Sequence, residues 1–582
     1  MQALKTQLKK VVQDLYGLDF EPDITPSPSN VDADYSSNTP LKLTKELSKN
    51  PMQIAEELSK AFIGSSSIDE HKYTTLVTPP GFLNFILSDD YLRSQIEDLS
   101  MGFNKHISFD KYKGKTVICE FSDPNPFKVL HVGHLYTSIV GDSISRLYEY
   151  AGAKVIRANF GGDVGLHVAK TMYALKQKSI DKLTIEDIAK CYIEGTAAYE
   201  DDESAKAEIT KLNKEIYDIN SKNLHDSDLA KLYWKGRELS YEYFNQFYAS
   251  IGVKFDKYYP ESTVANLGLE KVKQQLQKGI YEESNGAVIF NGDKYGLHTR
   301  VFVNQEGVPT YETKDVGLIF TKWQDYHFDK SVVITGSEQL EYMKVVLKSV
   351  EQYAPELVEK TTHLTHGLVK LPGGVKMSSR KGNFLKAVDV LDMVKSELKK
   401  AHDSDDEIIS LAATKYAFLK YKMGGDIVFD PKESVKMTGN SGPYLLYSCV
   451  RAKKILHKLS DESGSNNQAS IHDSASELPN EPHNDTDEQR NKQKLTLDAS
   501  ERNLIKKLLE YHIILQESVF ELAPHKVANY LYELAQSFSR FYENCPVTGS
   551  NQEKFRRKVV EAYSDVMTHG LNILGITVPK EM

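Results

Sequence analysis

Cysteine is scarce in this 582-residue sequence: Cys119, Cys191, Cys449 and Cys545 stand far apart, with no CxxC pair or other metal-ligand spacing. That pattern excludes a cysteine zinc site and a disulfide-stapled mini-domain, and suits reduced thiols in a cytoplasmic protein. Long apolar runs are missing too, so no segment reaches the roughly 20 residues needed to span a bilayer. The N-terminus, MQALKTQLKKVVQDLYGLDF, mixes lysines with acids and lacks the apolar core and cleavage pattern of a signal peptide. A basic excess is also lacking. The net charge of −9, taken whole, argues against a polyanionic partner.

The distribution of that charge reverses the argument. Residues 461–489 hold eight acids and no Lys or Arg, which leaves only about −1 for everything else. Lys370 to Lys400 carries eight bases against three acids, a stretch that suits a phosphate backbone or, equally, a solvated lysine face. Composition is otherwise that of a soluble globular protein, with 40% apolar and 26% charged residues. The length exceeds a single core and implies about two to four domains.

Residues 1–105 read as an α/β module. Helical periodicity appears at Leu4 to Leu15 and at Leu41 to Phe62, with a Pro/Ser/Asn/Asp-rich loop between them. TTLVTPPGFLNFILS follows, β-type residues broken by Pro79-Pro80-Gly81. From Lys113 to Asp163 the pattern is strand, loop, helix, strand, with the helix at Leu135 to Tyr150 and KVIRANFGGDVG after it. This fits a βαβ unit of a nucleotide-binding fold. About Leu166 to Lys278 is helical and charged, an insertion between two halves of that fold. GAVIF, RVFVN, VGLIF and SVVITG are expected as later strands of the same sheet. From Glu407 the chain is helical, as in IISLAATKYAFLKYKM, and the acidic, Ser/Asn-rich 459–492 is a disordered excursion by composition.

Two motifs carry chemistry. In FSDPNPFKVLHVGHLYTSIVG, His131 and His134 lie three apart on the first turn of a helix, and Gly133 lets a ligand reach the backbone. Free amides at such a terminus favour phosphate. A bare HxGH is equally a capped surface turn. About 240 residues later, LVKLPGGVKMSSRKG places Lys376, Arg380 and Lys381 within six residues after the mobile Gly373-Gly374. Ser378 and Ser379 add hydroxyls. Alone this is a basic surface loop; after an HVGH it can swing over a triphosphate and neutralise charge on leaving pyrophosphate.

HVGH followed by KMSSR resembles the signature pair of class I aminoacyl-tRNA synthetases, and the surrounding blocks resemble the arginyl-tRNA synthetase family. These blocks are ADYSSNTPLKLTKELSKNPMQIA, PPGFLNFILS, EFSDPNPFKVLHVGH, YETKDVG, GSEQ, SGPYLLYSCVRAKKIL and LGITVPKEM, in order along almost the whole chain. Two departures stand out: Val164 occupies the family's tryptophan in Gly162-Asp163-Val164-Gly165, and Ser379 replaces the second lysine of the signature. The resemblance implies an α/β fold with a Rossmann-type catalytic domain at 106–400, carrying a helical insertion near 166–278. An N-terminal tRNA-binding module would span 1–105. An all-α anticodon-binding domain would span 401–582 and hold the acidic excursion.

It also implies roles. His131, His134, Lys128, Lys376, Arg380 and Lys381 would be catalytic, with Gly133, Met377, Ser378 and Ser379 also at ATP. Glu120, Ser122, Asn125, Tyr311, Asp315 and Gln339 would bind L-arginine. Phe82, Asn84, Tyr447, Arg451, Tyr542 and Met582 would touch tRNA(Arg). ATP would bring Mg²⁺, with no structural metal; a monomer with no membrane partner is expected, with tRNA bound before arginine is activated. Physical chemistry favours arginine separately: a guanidinium has five donors and no acceptor, so its pocket needs a carboxylate, and Tyr311 and Asp315 can share one helical face. Two other readings remain, a class I synthetase for another amino acid and a catalytically silent synthetase-like RNA-binding protein; a simple HxGH nucleotidylyltransferase would lack the anticodon-like domain.

Overall fold

Thr116–Glu120 (β1), buried from Val117 onward, takes the centre of a five-stranded parallel sheet in the computed structural model, which describes residues 2–28, 30–64, 72–176, 178, 183–373, 385–466 and 496–582. Lys154–Gly161 (β2), Lys257–Pro260 (β3), Lys330–Gly336 (β4) and Thr361–His366 (β5) complete it in the order β5-β4-β1-β2-β3. Every neighbouring pair is parallel. The order reverses between β1 and β4. At such a switch point the following loops part and leave a crevice at the carboxyl ends of the strands.

The helices that shape this crevice are Val132–Tyr150 (α1), Ile185–Asp201 (α2), Asp228–Ser250 (α3), Glu261–Leu276 (α4), Tyr311–Tyr326 (α5), Leu340–Glu351 (α6) and Ala387–His402 (α7). Helices α4 and α5 cross almost backbone to backbone. A Cβ on Gly268 would lie 2.0 Å from the Thr313 carbonyl oxygen, and one on Gly317 would lie 2.1 Å from that of Val264. Only glycine permits this approach, which carries the first turns of both helices to the crevice.

The sheet differs from the sequence expectation in three ways. SVVITG is β4, but GAVIF and RVFVN form a separate antiparallel sheet of Glu282–Ser284, Ala287–Phe290 and Arg300–Val303. VGLIF lies inside α5, where the helical spacing of its neighbours outweighs a short apolar run and Gly317 makes the crossing. The helical insertion stops near Gly252, because 257–276 supply β3 and α4, whose Tyr259, Val264 and Val272 belong to the sheet's own core. Edge strands β3 and β5 carry no apolar run, since an edge strand need not bury both faces.

The chain forms two compact units. One comprises Ser108–Val450, Ile514–Tyr532 and Met567–Met582, and holds the parallel sheet. Helix Glu407–Leu419 belongs to it, packing on α1 through Phe418 and Tyr136 at 5.5 Å, so the boundary expected at 400 does not end this unit. The other comprises Met1–Ile107, Arg451–Ile513 and Glu533–Val566. It has an antiparallel sheet in the order Ile24–Pro26, Tyr35–Ser37, Phe82–Leu87, Tyr73–Thr78. The expected helix at Leu41 to Phe62 is two, Thr39–Leu47 and Pro51–Ile63, parted where Ser48 turns left-handed and Pro51 starts the next. Helix Gly442–Asn466 runs through the first residues of the expected acidic excursion, and 467–492 lie outside the described residues.

Candidate active site

Between β1 and α1 the backbone takes an unusual course. Ser122, Asp123 and Phe127 all have positive φ, at 74°, 49° and 65°, a conformation costly for side chains other than glycine's. Neighbours from β2 and α3 hold it there. Asp123 Oδ1 accepts from Phe160 N at 2.7 Å, and Asn125 Oδ1 accepts from Gly162 N at 2.7 Å. Ser122 Oγ lies 2.8 Å from the Tyr248 hydroxyl, while Phe127 N donates to Ser240 Oγ at 3.0 Å. Val164 fits without an indole: it is fully buried among Phe127, Val168 and Tyr233.

The loop delivers His131 as the N-cap of α1. His131 Nδ1 accepts from Gly133 N at 3.1 Å, and His134 Nδ1 accepts from His131 N at 3.1 Å. Each imidazole therefore carries its proton on Nε2 when neutral. Neutral is the form that burial favours: desolvation, helped by the Lys128 charge, holds His131 down at about 4 and His134 well below its usual value. The rings stack 3.8 Å apart. Two neutral N–H donors at a helix N-terminus suit phosphate oxygens. Gly133 is required here because an added Cβ would come within 2.9 Å of His131 Nδ1 and Cε1.

Residues 374–384 lie outside the described residues, and with them Lys376, Met377, Ser378, Ser379, Arg380 and Lys381. The chain re-enters directly beside the histidines. Val132 N donates to the Leu385 carbonyl at 2.9 Å and Ala387 N to that of Leu130 at 3.0 Å, with Lys386 bridged antiparallel to His131.

A cavity of about 640 Å³ occupies the switch point. Glu120, Ser122, Asn125, His131, Gly133, His134, Tyr311, Asp315 and Gln339 all line it, so residues scattered over some 220 positions converge on one space. Among the described residues its charged walls are lopsided: Glu120, Asp123, Glu261, Glu312, Asp315 and Glu338 face Arg300 as the one Lys or Arg. Asp315 is buried on the second turn of α5 and accepts a hydrogen bond from the Tyr342 hydroxyl. Burial first, then the nearby Glu120 and Glu261, push its carboxyl up to about 8 against the pull of Tyr342. A donor-rich cation beside it would restore the ionised form.

Glu120 is already paired. Buried Lys322 donates to its Oε2 at 2.7 Å and to Ser331 Oγ at 3.1 Å, which leaves the other oxygen for a ligand ammonium. Glu261 pairs with buried Lys314, and Arg300 with Glu312 at 3.2 Å. Lys322, Tyr342, Glu261 and Lys314 were not legible as site residues. The one signal for Lys322 is its place seven residues after Asp315, two turns along the same helical face. Tyr311 is 53% exposed at the cavity mouth, and Gln339 is exposed after β4.

The residues expected at tRNA lie elsewhere. Arg451 stacks its guanidinium 3.9 Å from the centre of the half-exposed Tyr542 ring, and Tyr447 is 46% exposed on helix Gly442–Asn466. Phe82 opens its strand partly exposed, and Met582 is partly exposed. Asn84 differs from these in its surroundings. It is buried, and its amide nitrogen donates to the Leu76 carbonyl at 3.0 Å and to Thr78 Oγ1 at 2.9 Å, so it braces the hairpin from inside.

Comparison with known proteins matches residues 99–424 to the family of tRNA synthetases class I (R), catalytic domain. The chain belongs to this arginyl-tRNA synthetase family. Residues 2–87 match the arginyl tRNA synthetase N terminal domain and 445–582 the DALR anticodon binding domain. Among curated relatives, the arginine–tRNA ligase of Fusobacterium nucleatum is 28% identical, with 96% of this chain and 95% of that protein aligned. That of Treponema denticola is 27% identical, with 99% of both aligned. The Thermus thermophilus arginyl-tRNA synthetase structure superposes with a TM-score of 0.75 at 21% identity, covering 100% of both chains. The Plasmodium falciparum arginyl-tRNA synthetase gives the same score and identity over 100% of this chain and 99% of that one. The likeness in fold to other arginyl-tRNA synthetases thus extends over all the elements described above.

Proposed function

We propose that this chain ligates L-arginine to tRNA(Arg), consuming ATP and releasing AMP and diphosphate. The observation that carries this reading is the convergence of a carboxylate-rich cavity, with buried Asp315 at its wall, on the HVGH turn. Asp315 anchors the guanidinium, Tyr311 lines it, and the Glu120 oxygen that Lys322 does not hold takes the α-amino group. Asn125 and Ser122 keep the loop in its strained course, and Gln339 closes the far wall.

The arginine carboxylate attacks the ATP α-phosphorus in line; the α–β bridging bond breaks and pyrophosphate leaves with the electron pair. Nε2–H of His131 and of His134 donates to phosphate oxygens as charge builds, and the cations Lys128, Lys376, Arg380 and Lys381 meet the leaving group. This is positioning and electrostatics, with no covalent enzyme intermediate. The terminal adenosine 2′-hydroxyl of the tRNA then attacks the adenylate carbonyl, and AMP departs. Magnesium would enter on the ATP phosphates. Among the described residues no group of three His, Cys, Asp or Glu is arranged to hold an ion, so no step is assigned to it.

The N-terminal module at 1–105 and the helical domain beyond the catalytic one would bind the tRNA through Phe82, Tyr447, Arg451, Tyr542 and Met582. Among the described residues no helix is long and apolar enough to cross a membrane, and a cytoplasmic monomer fits the reading. The test is charging of unfractionated tRNA with each amino acid in turn. Arginine alone should be esterified, and tRNA ending in 2′-deoxyadenosine should not accept it. Charging with a different amino acid would overturn the assignment. Gly133→Ala, which pushes the His131 ring aside, is expected to lower kcat in this assay by about 10²-fold with little change in the KM for arginine.

A further inference from the structure

A second cavity, of about 550 Å³, shares Asn125, His131 and His134 with the first and is otherwise walled by α2, Tyr243 and the start of α7. Lys128 stands in its wall, half-buried. Its Nζ lies 4.7 Å from the centroid of the Tyr192 ring, within the range of a cation–π contact. Glu186, Asp389 and Asp392 line the same cavity, yet among the described residues no carboxylate stands within ion-pair distance of Lys128. The ammonium therefore rests on an aromatic face where three acids were available. Its charge reaches the reaction centre from there: it disfavours protonation of His131, His134 and His167, and it favours the ionised form of Glu261.

A lysine ammonium on a four-carbon stem has many places to go, and pairing with an acid would neutralise it and draw it away from an incoming triphosphate. An aromatic face restrains the cation without cancelling its charge. Tyr192 belongs to α2 in the helical insertion, whereas His131 and His134 stand at the start of α1 and Lys128 in the β1–α1 loop. We infer that Tyr192 is a positioning residue for adenylate formation, its ring holding the Lys128 ammonium beside the HVGH turn where the triphosphate arrives. This rests on the reading of Lys128 as a phosphate-facing cation.

The test is ATP–pyrophosphate exchange with arginine and tRNA, using the full chain and the variants Tyr192→Met, Tyr192→Leu, Tyr192→Phe, Lys128→Met and the double variant Lys128→Met/Tyr192→Met. Loss of the ring in Tyr192→Met is expected to lower kcat by about fivefold, with the KM for arginine unchanged. Tyr192→Phe keeps the ring and should stay within about twofold of the parent. The double variant should match Lys128→Met alone, because the ring then has nothing to hold. Tyr192→Leu repeats the ring deletion should the methionine variant fold poorly. A double variant that falls below Lys128→Met by the full Tyr192→Met factor would overturn the inference, and so would a Tyr192→Phe as slow as Tyr192→Met. A Lys128→Met enzyme as fast as the parent would instead overturn the underlying reading of Lys128.

Discussion

Asp315→Asn is expected to raise the KM for arginine by about 10²- to 10⁴-fold, the equivalent of the roughly 3–5 kcal/mol lost when a buried ion pair is broken on one side. Asparagine keeps the size and one acceptor, so the fold and the Tyr342 contact are retained while the charge is lost. The KM for ATP should barely move, since the histidines that meet the triphosphate belong to α1 and not to α5. Wild-type arginine binding should also depend on pH. The Asp315 carboxyl sits at about 8 among other acids, and a guanidinium binds its ionised form. Below that value binding must release a proton, so affinity falls by up to about tenfold for each unit of pH decrease, and it levels off above. Arginine KM followed from about pH 6 to about pH 9 should show this slope in the parent and lose it in Asp315→Asn.

Arg502→Met should destabilise the unit that contains the N-terminal module by about 3 kcal/mol. Arg502 Nη1 donates to Asp89 Oδ1 at 2.8 Å, and Nη2 donates to the Leu87 carbonyl at 2.5 Å and to Asp34. Asp34 is only 4% exposed, and its Oδ2 also accepts the Leu87 N–H at 2.6 Å. Removing the guanidinium leaves that buried charge with Lys506, 2.9 Å from Oδ1, as its remaining cation among the described residues. Lys506 is the reason the loss falls at the lower end of the range for a broken buried pair. Equilibrium unfolding in urea measures it, and adding Asp34→Asn should recover part of the loss by removing the stranded charge. Because this unit carries Phe82, Arg451 and Tyr542, the KM for tRNA should rise in Arg502→Met while the KM for ATP holds.

Much of the chemistry was legible in short local patterns. HVGH needs only a strand, a loop and a helix start, all within one stretch, and α1 begins where those residues imply. Tyr311 and Asp315 were legible as one face of a helix, and α5 places both at the cavity. What escaped reading depends on pairs distant in sequence. Lys322 neutralises Glu120 from 202 positions away, and Tyr342 meets Asp315 from a different helix. No periodicity within either segment announces such partners. GAVIF and RVFVN have true strand character, but composition does not say which sheet a strand joins. VGLIF failed as a strand because Gly317 serves a helix crossing that involves Gly268, on another element altogether. Asn84 stands in the apolar run FLNFIL, and the partners of its amide, Leu76 and Thr78, come from the other strand of the hairpin.

The most direct test of the central claim is ATP–pyrophosphate exchange with a panel of all amino acids, with and without tRNA(Arg), on the parent chain and on Asp315→Asn. Exchange driven by arginine alone, strongest with tRNA present and collapsing in Asp315→Asn at subsaturating arginine, is the predicted result. Exchange driven by another amino acid, or arginine-dependent exchange that Asp315→Asn leaves intact, would contradict it.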